Sequence, residues 1–339
     1  MHPVVRSFRT SFAEGRFIPL VASFGVVLMR VALYLRVGAP EIEQAVDNYL
    51  WSLIAPFFNN HFISFVASTI SVFLISWILS HMNSRYNLIR ARSNLPFITP
   101  LFLFSLHPYF LAMSGDYISI ILILFALFPL LESYQKTDSY LYSFRSAILI
   151  AIASLFQIYA LMVIPLWWKG EKTMRGPQPR SFLASVFGLL LVYVSVISLF
   201  LLFDDIKGFL QPTLSFASFS IPQLPEFSIL EWATTAFIAL FFIVNMTFSV
   251  KIYSRDKVLS LNLMQFFLFL IILLLLLQII YWSQTFFFFM LSLTFVSYLN
   301  SYVYTQTNSK NHIYLAYVII IFMLAIYLSH FFPEYLPVL

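Results

Sequence analysis

Three acidic residues lie close together in the segment "VGAPEIEQAVDNYLWSLIAPFFNNH", positions 37–61. They are Glu41, Glu43 and Asp47, and on a helix over 40–55 the last two would share one face, four residues apart. Carboxylates beside a cavity can act as a general base toward a hydroxyl group, or can bind a divalent cation. The same residues also fit the solvated face of an amphipathic helix, where they interact favourably with the helix dipole.

Two arginines, Arg30 and Arg36, lie in and at the end of the apolar run 17–36, just before these carboxylates. A charged side chain within a membrane-spanning helix is costly, so it is by default a functional-site hypothesis. A guanidinium at this place could hold a phosphate group. Alternatively, each side chain could extend to the membrane interface, or pair with Glu41 or Glu43.

Asp116 is the third candidate, in "HPYFLAMSGDY" (107–117), which joins two apolar runs. It is predicted to cap the helix that follows Gly115, or to face the same cavity as the carboxylates of 41–47. His107 precedes Pro108 and has no second histidine nearby in sequence, so no metal site is predicted.

The composition identifies the environment of these residues. The chain is 61% hydrophobic and 10% charged, whereas a soluble domain has roughly 25% charged residues. We therefore predict an all-α polytopic membrane protein with a single transmembrane domain over 1–339. The absence of cysteine excludes disulfides, thiolate metal sites and cysteine nucleophiles. In a membrane protein the distribution of the basic residues sets orientation, so the net charge of +5 need not imply a nucleic-acid partner, and none is expected.

Apolar runs long enough to cross the membrane, or nearly so, recur along the chain. The clear candidates are 17–36, 62–80, 97–113, 117–134, 182–203, 232–250, 260–281, 284–300 and 313–332.

The run 145–168 has the length of one span, but its flanking charges favour two short helices with a turn near "FQIY" (156–159). Only then do all but three of the 19 Lys and Arg residues lie on the inner side, the exceptions being Arg30, Arg36 and Lys207. Each half would be roughly 18 Å long, shorter than the hydrocarbon core. The hairpin must therefore pack inside protein.

This arrangement predicts about eleven membrane segments, with the N-terminus inside and the C-terminus outside. The predicted outer loops are 37–61 and 204–232. The predicted basic inner loops are 81–96, 135–145, 169–181, 251–257 and 301–312.

Two resemblances follow from these segments. The pattern "NSRYNLIRARSNLPFITPLFLFSLHP" (83–108) followed by "GDYISIILILFALFPLLESYQ" (115–135) resembles an uncharacterised integral-membrane family of Bacteroidetes-type bacteria. That family has an arginine-rich "R-x-x-L-P" inner loop before a helix. More distantly, the order of parts is similar to the GT-C glycosyltransferases: a first helix, an acidic outer loop, and a short helix pair before a basic inner loop.

The GT-C resemblance implies an enzyme that acts on a polyprenyl-phosphate-linked sugar at the outer face of the membrane. Glu41, Glu43 or Asp47 would be the base, Arg30 and Arg36 would hold phosphate, and Asp116 would join the substrate site. A divalent cation is the one cofactor that these carboxylates could bind. The expected partners are the lipid bilayer, the polyprenyl-phosphate lipid and a membrane-protein partner.

Two other functions remain open. The chain could be a non-catalytic scaffold subunit of a membrane complex that keeps a GT-C-like fold. It could also be a lipid or solute transporter, although its helices carry few of the ionisable residues that ion coupling needs.

Overall fold

The computed structural model describes residues 2–38, 40, 48–136, 140–217, 229–254 and 256–331. Within these ranges the chain is helical and contains no β-strand. The α-helices are α1 (Pro3–Phe8), α2 (Ile18–Val37), α3 (Trp51–Ile54), α4 (His61–Tyr86), α5 (Leu95–Leu103), α6 (Gly115–Glu132), α7 (Tyr140–Phe156), α8 (Ile164–Arg175), α9 (Pro179–Leu202), α10 (Ile206–Leu214), α11 (Ile229–Tyr253), α12 (Val258–Ile280), α13 (Thr285–Gln306) and α14 (Lys310–Ser329).

Eight helices of the described ranges are long and apolar enough to cross a membrane. They are α2, α4, α6, α9, α11, α12, α13 and α14. Exposed Leu, Val and Phe side chains cover much of α2 and α9, as expected for helices that face lipid. The prediction of an all-α, multi-pass membrane protein is therefore confirmed.

The prediction of one helix over 97–113 is wrong. Helix α5 ends at Leu103, and the chain then turns into a short 3₁₀ helix over Pro108–Leu111. Pro108 prevents a continuous helix through this segment, because a proline disfavours the helical conformation of the residue before it. His107 accordingly has extended backbone angles, φ −129° and ψ 141°.

The predicted break in 145–168 is confirmed. Helix α7 ends at Phe156, Gln157 is extended with φ −148° and ψ 103°, and a 3₁₀ helix over Ile158–Val163 leads into α8. Pro165 lies in the first turn of α8, where it interrupts no hydrogen bond of the helix.

Helix α8 returns alongside α7. The Ser143 hydroxyl, near the start of α7, donates to Glu171 near the end of α8 at 3.1 Å and accepts from Arg175. Arg175 also pairs with Glu171 at 2.7 Å. Burial raises the pKa of Glu171, and the adjacent guanidinium opposes that rise. These contacts bring the basic segment after Trp168 back to the end of the bundle where α7 began.

Other contacts collect basic residues at this same end. Arg85 pairs with Glu132 at 2.6 Å, which joins the ends of α4 and α6, and Arg90 pairs with Asp256 at 2.6 Å just before α12. We call this the basic end. Its described Lys and Arg residues include Arg6, Arg9, Arg16, Arg85, Arg90, Arg92, Lys136, Lys172, Arg175, Lys251 and Lys310. The opposite end, which contains the helix break and Asp116, is called the Asp116 end.

Candidate functional site

A buried polar group lies at the helix break. The Asp116 carboxylate accepts hydrogen bonds from Gln157 Nε2 at 2.7 Å and from Ser114 Oγ at 3.2 Å. Gln157 Nε2 also lies 3.3 Å from Gln284 Oε1. We call these four residues the Asp116 cluster. They come from the start of α6, the break between α7 and α8, and the turn between α12 and α13, and all are buried.

Gly115 allows these elements to meet. A Cβ atom on Gly115 would lie 2.5 Å from the carbonyl oxygen of Phe156, the last residue of α7, and 3.1 Å from the Trp51 ring. Such a distance is far below van der Waals contact, so no larger residue fits unless the backbone moves. The glycine therefore sets how closely the start of α6 approaches the break.

Residues 48–50, which follow the three acidic residues within the predicted outer loop, contact the same break. Asn48 Oδ1 accepts from the Ile158 backbone N–H at 2.9 Å, and the Leu50 N–H donates to the Leu155 carbonyl at 2.9 Å. These bonds satisfy backbone groups that the interrupted helix leaves free. The candidate residues Glu41, Glu43 and Asp47, which precede Asn48 in the chain, lie outside the described residues.

The chemistry of the Asp116 cluster follows from its partners. The salt bridges found in the described ranges lie at the basic end, and none includes Asp116. Gln157 Oε1 is buried and has no hydrogen-bond partner in the described part of the chain. A carboxylate and a free amide oxygen, both acceptors, can together receive hydrogen bonds from a hydroxyl-rich ligand.

The prediction that Asp116 is the N-cap residue of the helix that follows is wrong. Ser114 is the N-cap residue of α6, and Asp116 lies in the first turn with its carboxylate turned toward Gln157. The extended backbone of Ser114, with φ −137° and ψ 164°, fits the N-cap position.

Arg30 is fully buried and makes four hydrogen bonds to neutral groups. Its Nη1 donates to the Phe104 carbonyl at 2.7 Å and its Nη2 to the Phe110 carbonyl at 2.8 Å. Its Nη2 and Nε also donate to the Ser68 hydroxyl at 2.8 Å and the Thr69 hydroxyl at 3.0 Å. Arg30 therefore fastens the 104–110 turn to α2 and α4, and its side chain is directed into the bundle. Arg36, two turns further along α2, is exposed.

Three tyrosines hold the segment 209–216 over the break, a feature that the sequence did not predict. Tyr49, Tyr159 and Tyr281 donate to the backbone carbonyls of Phe209, Ser215 and Phe216 at 2.7, 3.0 and 3.1 Å. Burial raises the pKa of the Tyr49 phenol, so its hydroxyl stays a hydrogen-bond donor to higher pH than that of an exposed tyrosine. Helix α10 and the residues after it thus cover the Asp116 end.

No group of three or more His, Asp or Glu side chains that could bind a metal ion occurs within the described ranges. The neighbours of Asp116 are amides and a hydroxyl, which suit hydrogen bonding to an organic ligand.

Comparison of the chain with models of protein families, with curated proteins and with solved structures finds no match in any of the three. The function is therefore inferred from the Asp116 cluster, the charge distribution and the helix break.

Proposed function

We propose a topology of about eleven membrane segments, with the N-terminus inside and the C-terminus outside the bacterial cytoplasmic membrane. The shorter helices α5, α7 and α8 would supply the segments that the eight long helices leave out. The contacts of Ser143, Glu171 and Arg175 support this arrangement, because they return α8 to the basic end. By the positive-inside rule the basic end then faces the cytoplasm.

Within this topology we propose that the protein acts on a polyprenyl-phosphate-linked sugar at the outer face. The observation that supports the proposal is the buried Asp116 cluster at a helix break. Asn48, which follows the three acidic residues of the outer loop, is hydrogen-bonded to the same break. Irregular backbone at membrane depth is tolerated where it is buried in protein or lines a cavity, and such breaks recur at binding sites.

The proposed division of roles follows from the types of residue. A carboxylate among Glu41, Glu43 and Asp47 would take the proton from the acceptor hydroxyl, since a base must reach the group that it deprotonates. Asp116 and Gln157 would bind sugar hydroxyl groups. Arg36 is the exposed cation on α2 that could meet a lipid phosphate, because Arg30 already donates to four protein groups.

The second candidate is a non-catalytic scaffold subunit of a membrane complex. The specific observation in its favour is Arg30, whose guanidinium binds backbone carbonyls and hydroxyl groups of the protein itself. On this view the cluster at the break maintains the shape of the fold and binds no substrate.

Conservative substitutions in a deletion strain separate the two functions. We expect Asp116→Asn, and at least one of Glu41→Gln, Glu43→Gln and Asp47→Asn, to lower glycan transfer by about 100-fold or more, because general-base and substrate-orienting groups contribute on that scale. Transfer of labelled sugar from the lipid carrier is measured in membranes that contain equal amounts of each protein.

Asp204→Asn is the matched control, since Asp204 is an exposed carboxylate beyond the end of α9 and should retain full transfer. If Asp116→Asn, Glu41→Gln, Glu43→Gln and Asp47→Asn all restore transfer as well as the wild type does, the enzyme proposal is wrong and the scaffold function stands.

A further inference from the structure

An apolar groove runs between α2, α5, α11, α13 and α14. It contains two cavities, of about 290 and about 320 Å³, and Leu103, Phe241 and Met323 line both, so the cavities lie end to end. The first reaches Tyr304 near the basic end, and the second reaches His107 at the Asp116 end. Four of the five bordering helices are long enough to span the membrane, so the groove lies at the depth of lipid chains.

The volumes of the two cavities are large enough to hold a hydrocarbon chain. A cavity of about 150 Å³ lined by aliphatic and aromatic side chains stays dry and takes up benzene, which has six carbon atoms. Each cavity here is about twice that size, so each holds roughly a dozen carbon atoms on the same scale. Met323, between them, has the flexible side chain that adapts to an extended occupant.

Two residues that line the first cavity each have a buried polar atom without a partner among the described residues. The Tyr304 hydroxyl and Asn300 Oδ1 make no hydrogen bond to any described residue, and both residues line this cavity. They are four residues apart on α13 and therefore share one face. A buried polar atom left without a partner is costly, so an occupant that accepts a hydrogen bond from the Tyr304 hydroxyl would stabilise the protein.

The end of the groove near Tyr304 lies beside basic residues of the N-terminal segment. Helix α1 and the π-helical segment Arg9–Ala13 pack against Tyr304, Phe8 and Phe12 line the cavity, and Arg9 donates to the Thr305 carbonyl at 3.0 Å. Arg6 and Arg16 lie on the same N-terminal segment and are exposed. Cationic residues beside an apolar groove at a membrane surface attract anionic lipid headgroups.

We propose that this groove binds one anionic diacyl phospholipid as a fixed component of the protein. One acyl chain lies along the two cavities. An ester carbonyl accepts a hydrogen bond from the Tyr304 hydroxyl, and the phosphate lies near Arg6 and Arg16. Tyr304 and the N-terminal arginines lie at the basic end, away from the Asp116 cluster, so lipid binding there is independent of the proposed function.

The length of the groove agrees with an acyl chain. Tyr304 and Leu293, which line the first and second cavities, are eleven residues apart on α13. At 1.5 Å per residue this separation is roughly 16 Å, close to the length of one phospholipid chain.

Native mass spectrometry of the full chain, with phosphatidylglycerol as the added probe, tests the proposal. The wild type should retain one phosphatidylglycerol molecule. Tyr304→Phe, which removes only the hydroxyl, should weaken retention about threefold to tenfold, as expected for one hydrogen bond. Gly25→Leu should abolish it, because Gly25 lines the first cavity and has open space beside it.

Two control variants accompany these. Tyr314→Phe changes an exposed tyrosine on α14 outside both cavities, and Ser195→Leu adds comparable bulk on the exposed face of α9. Both should retain the lipid as the wild type does. Replacing Arg6 and Arg16 by Gln should reduce the preference for phosphatidylglycerol over phosphatidylcholine, by about fivefold for each charge removed.

Three results would overturn the proposal. The first is a wild type that retains no phospholipid. The second is equal retention by the wild type, Tyr304→Phe and Gly25→Leu. The third is a retained lipid without a diacylglycerol backbone, such as a polyprenyl phosphate, which would give the groove a different occupant.

Discussion

Replacing Arg30 by Met is expected to reduce the stability of the fold strongly. The substitution removes four hydrogen bonds and leaves the Phe104 carbonyl without its side-chain partner inside the bundle. Hydrogen bonds from charged donors contribute about 1.5–3 kcal/mol each. Since Phe110 keeps a second partner in the Tyr117 hydroxyl, we expect a net loss of about 3 kcal/mol. Such a loss lowers Tm by roughly 6–12 °C.

Thermal unfolding of the detergent-solubilised protein measures this effect, and Arg36→Met provides the control. Arg36 lies on the same helix and is exposed, so its substitution should leave Tm within about 1 °C of the wild type. Equal Tm values for wild type and Arg30→Met would show that the buried guanidinium does not hold the 104–110 turn. Arg30 would then again be a candidate for phosphate binding.

Replacing Gly115 by Ala is the second change with a large expected effect. The new Cβ would lie 2.5 Å from the Phe156 carbonyl oxygen, so α6 and the end of α7 must separate. Overpacking of this kind costs about 1–3 kcal/mol. Because Asp116 is the next residue, the separation also lengthens its 2.7 Å bond to Gln157. We expect both a lower Tm and a loss of whichever function the Asp116 cluster performs.

Gly25→Ala is the matched control, because a Cβ atom at Gly25 meets no atom within 4 Å. In the middle of α2, alanine should leave stability unchanged or raise it by about 1 kcal/mol. If Gly115→Ala unfolds at the same temperature as Gly25→Ala, the close approach of α6 to the break is not required for the fold.

The broken hairpin could be predicted from the sequence because the positions of the basic residues along the chain indicate it. The chain must turn within 145–168 if the basic residues that follow are to lie on the same side as the other basic residues; these are Lys169, Lys172, Arg175 and Arg180. Gln157 marks that turn. The 97–113 segment was misjudged because hydropathy does not register how a proline changes the residue before it.

The contacts of the candidate site could not be predicted in the same way. Nothing in the spacing of Asp116, Gln157 and Gln284 indicates that they meet, since they lie 41 and 127 residues apart in sequence. Arg30 was rightly singled out as a costly charge, but its acceptors are mainly backbone carbonyls and hydroxyl groups, which leave no sequence signal. Similarly, the approach of His330 to His107, with ring centres 5.0 Å apart, depends on the packing of α14.

The central claim is that the chain reverses at Gln157 and returns its basic loop to the cytoplasmic side. Single cysteines at Lys172 and Lys207 test it directly, because both positions are exposed and the chain has no cysteine of its own. Gly170 is unsuitable, since a Cβ atom there would lie 2.7 Å from the Phe266 ring.

An impermeant maleimide is applied to intact cells and, separately, to permeabilised cells. The proposed topology predicts that Lys207→Cys reacts in intact cells, whereas Lys172→Cys reacts only after permeabilisation. Labelling of Lys172→Cys in intact cells, with none at Lys207→Cys until the membrane is opened, would contradict it.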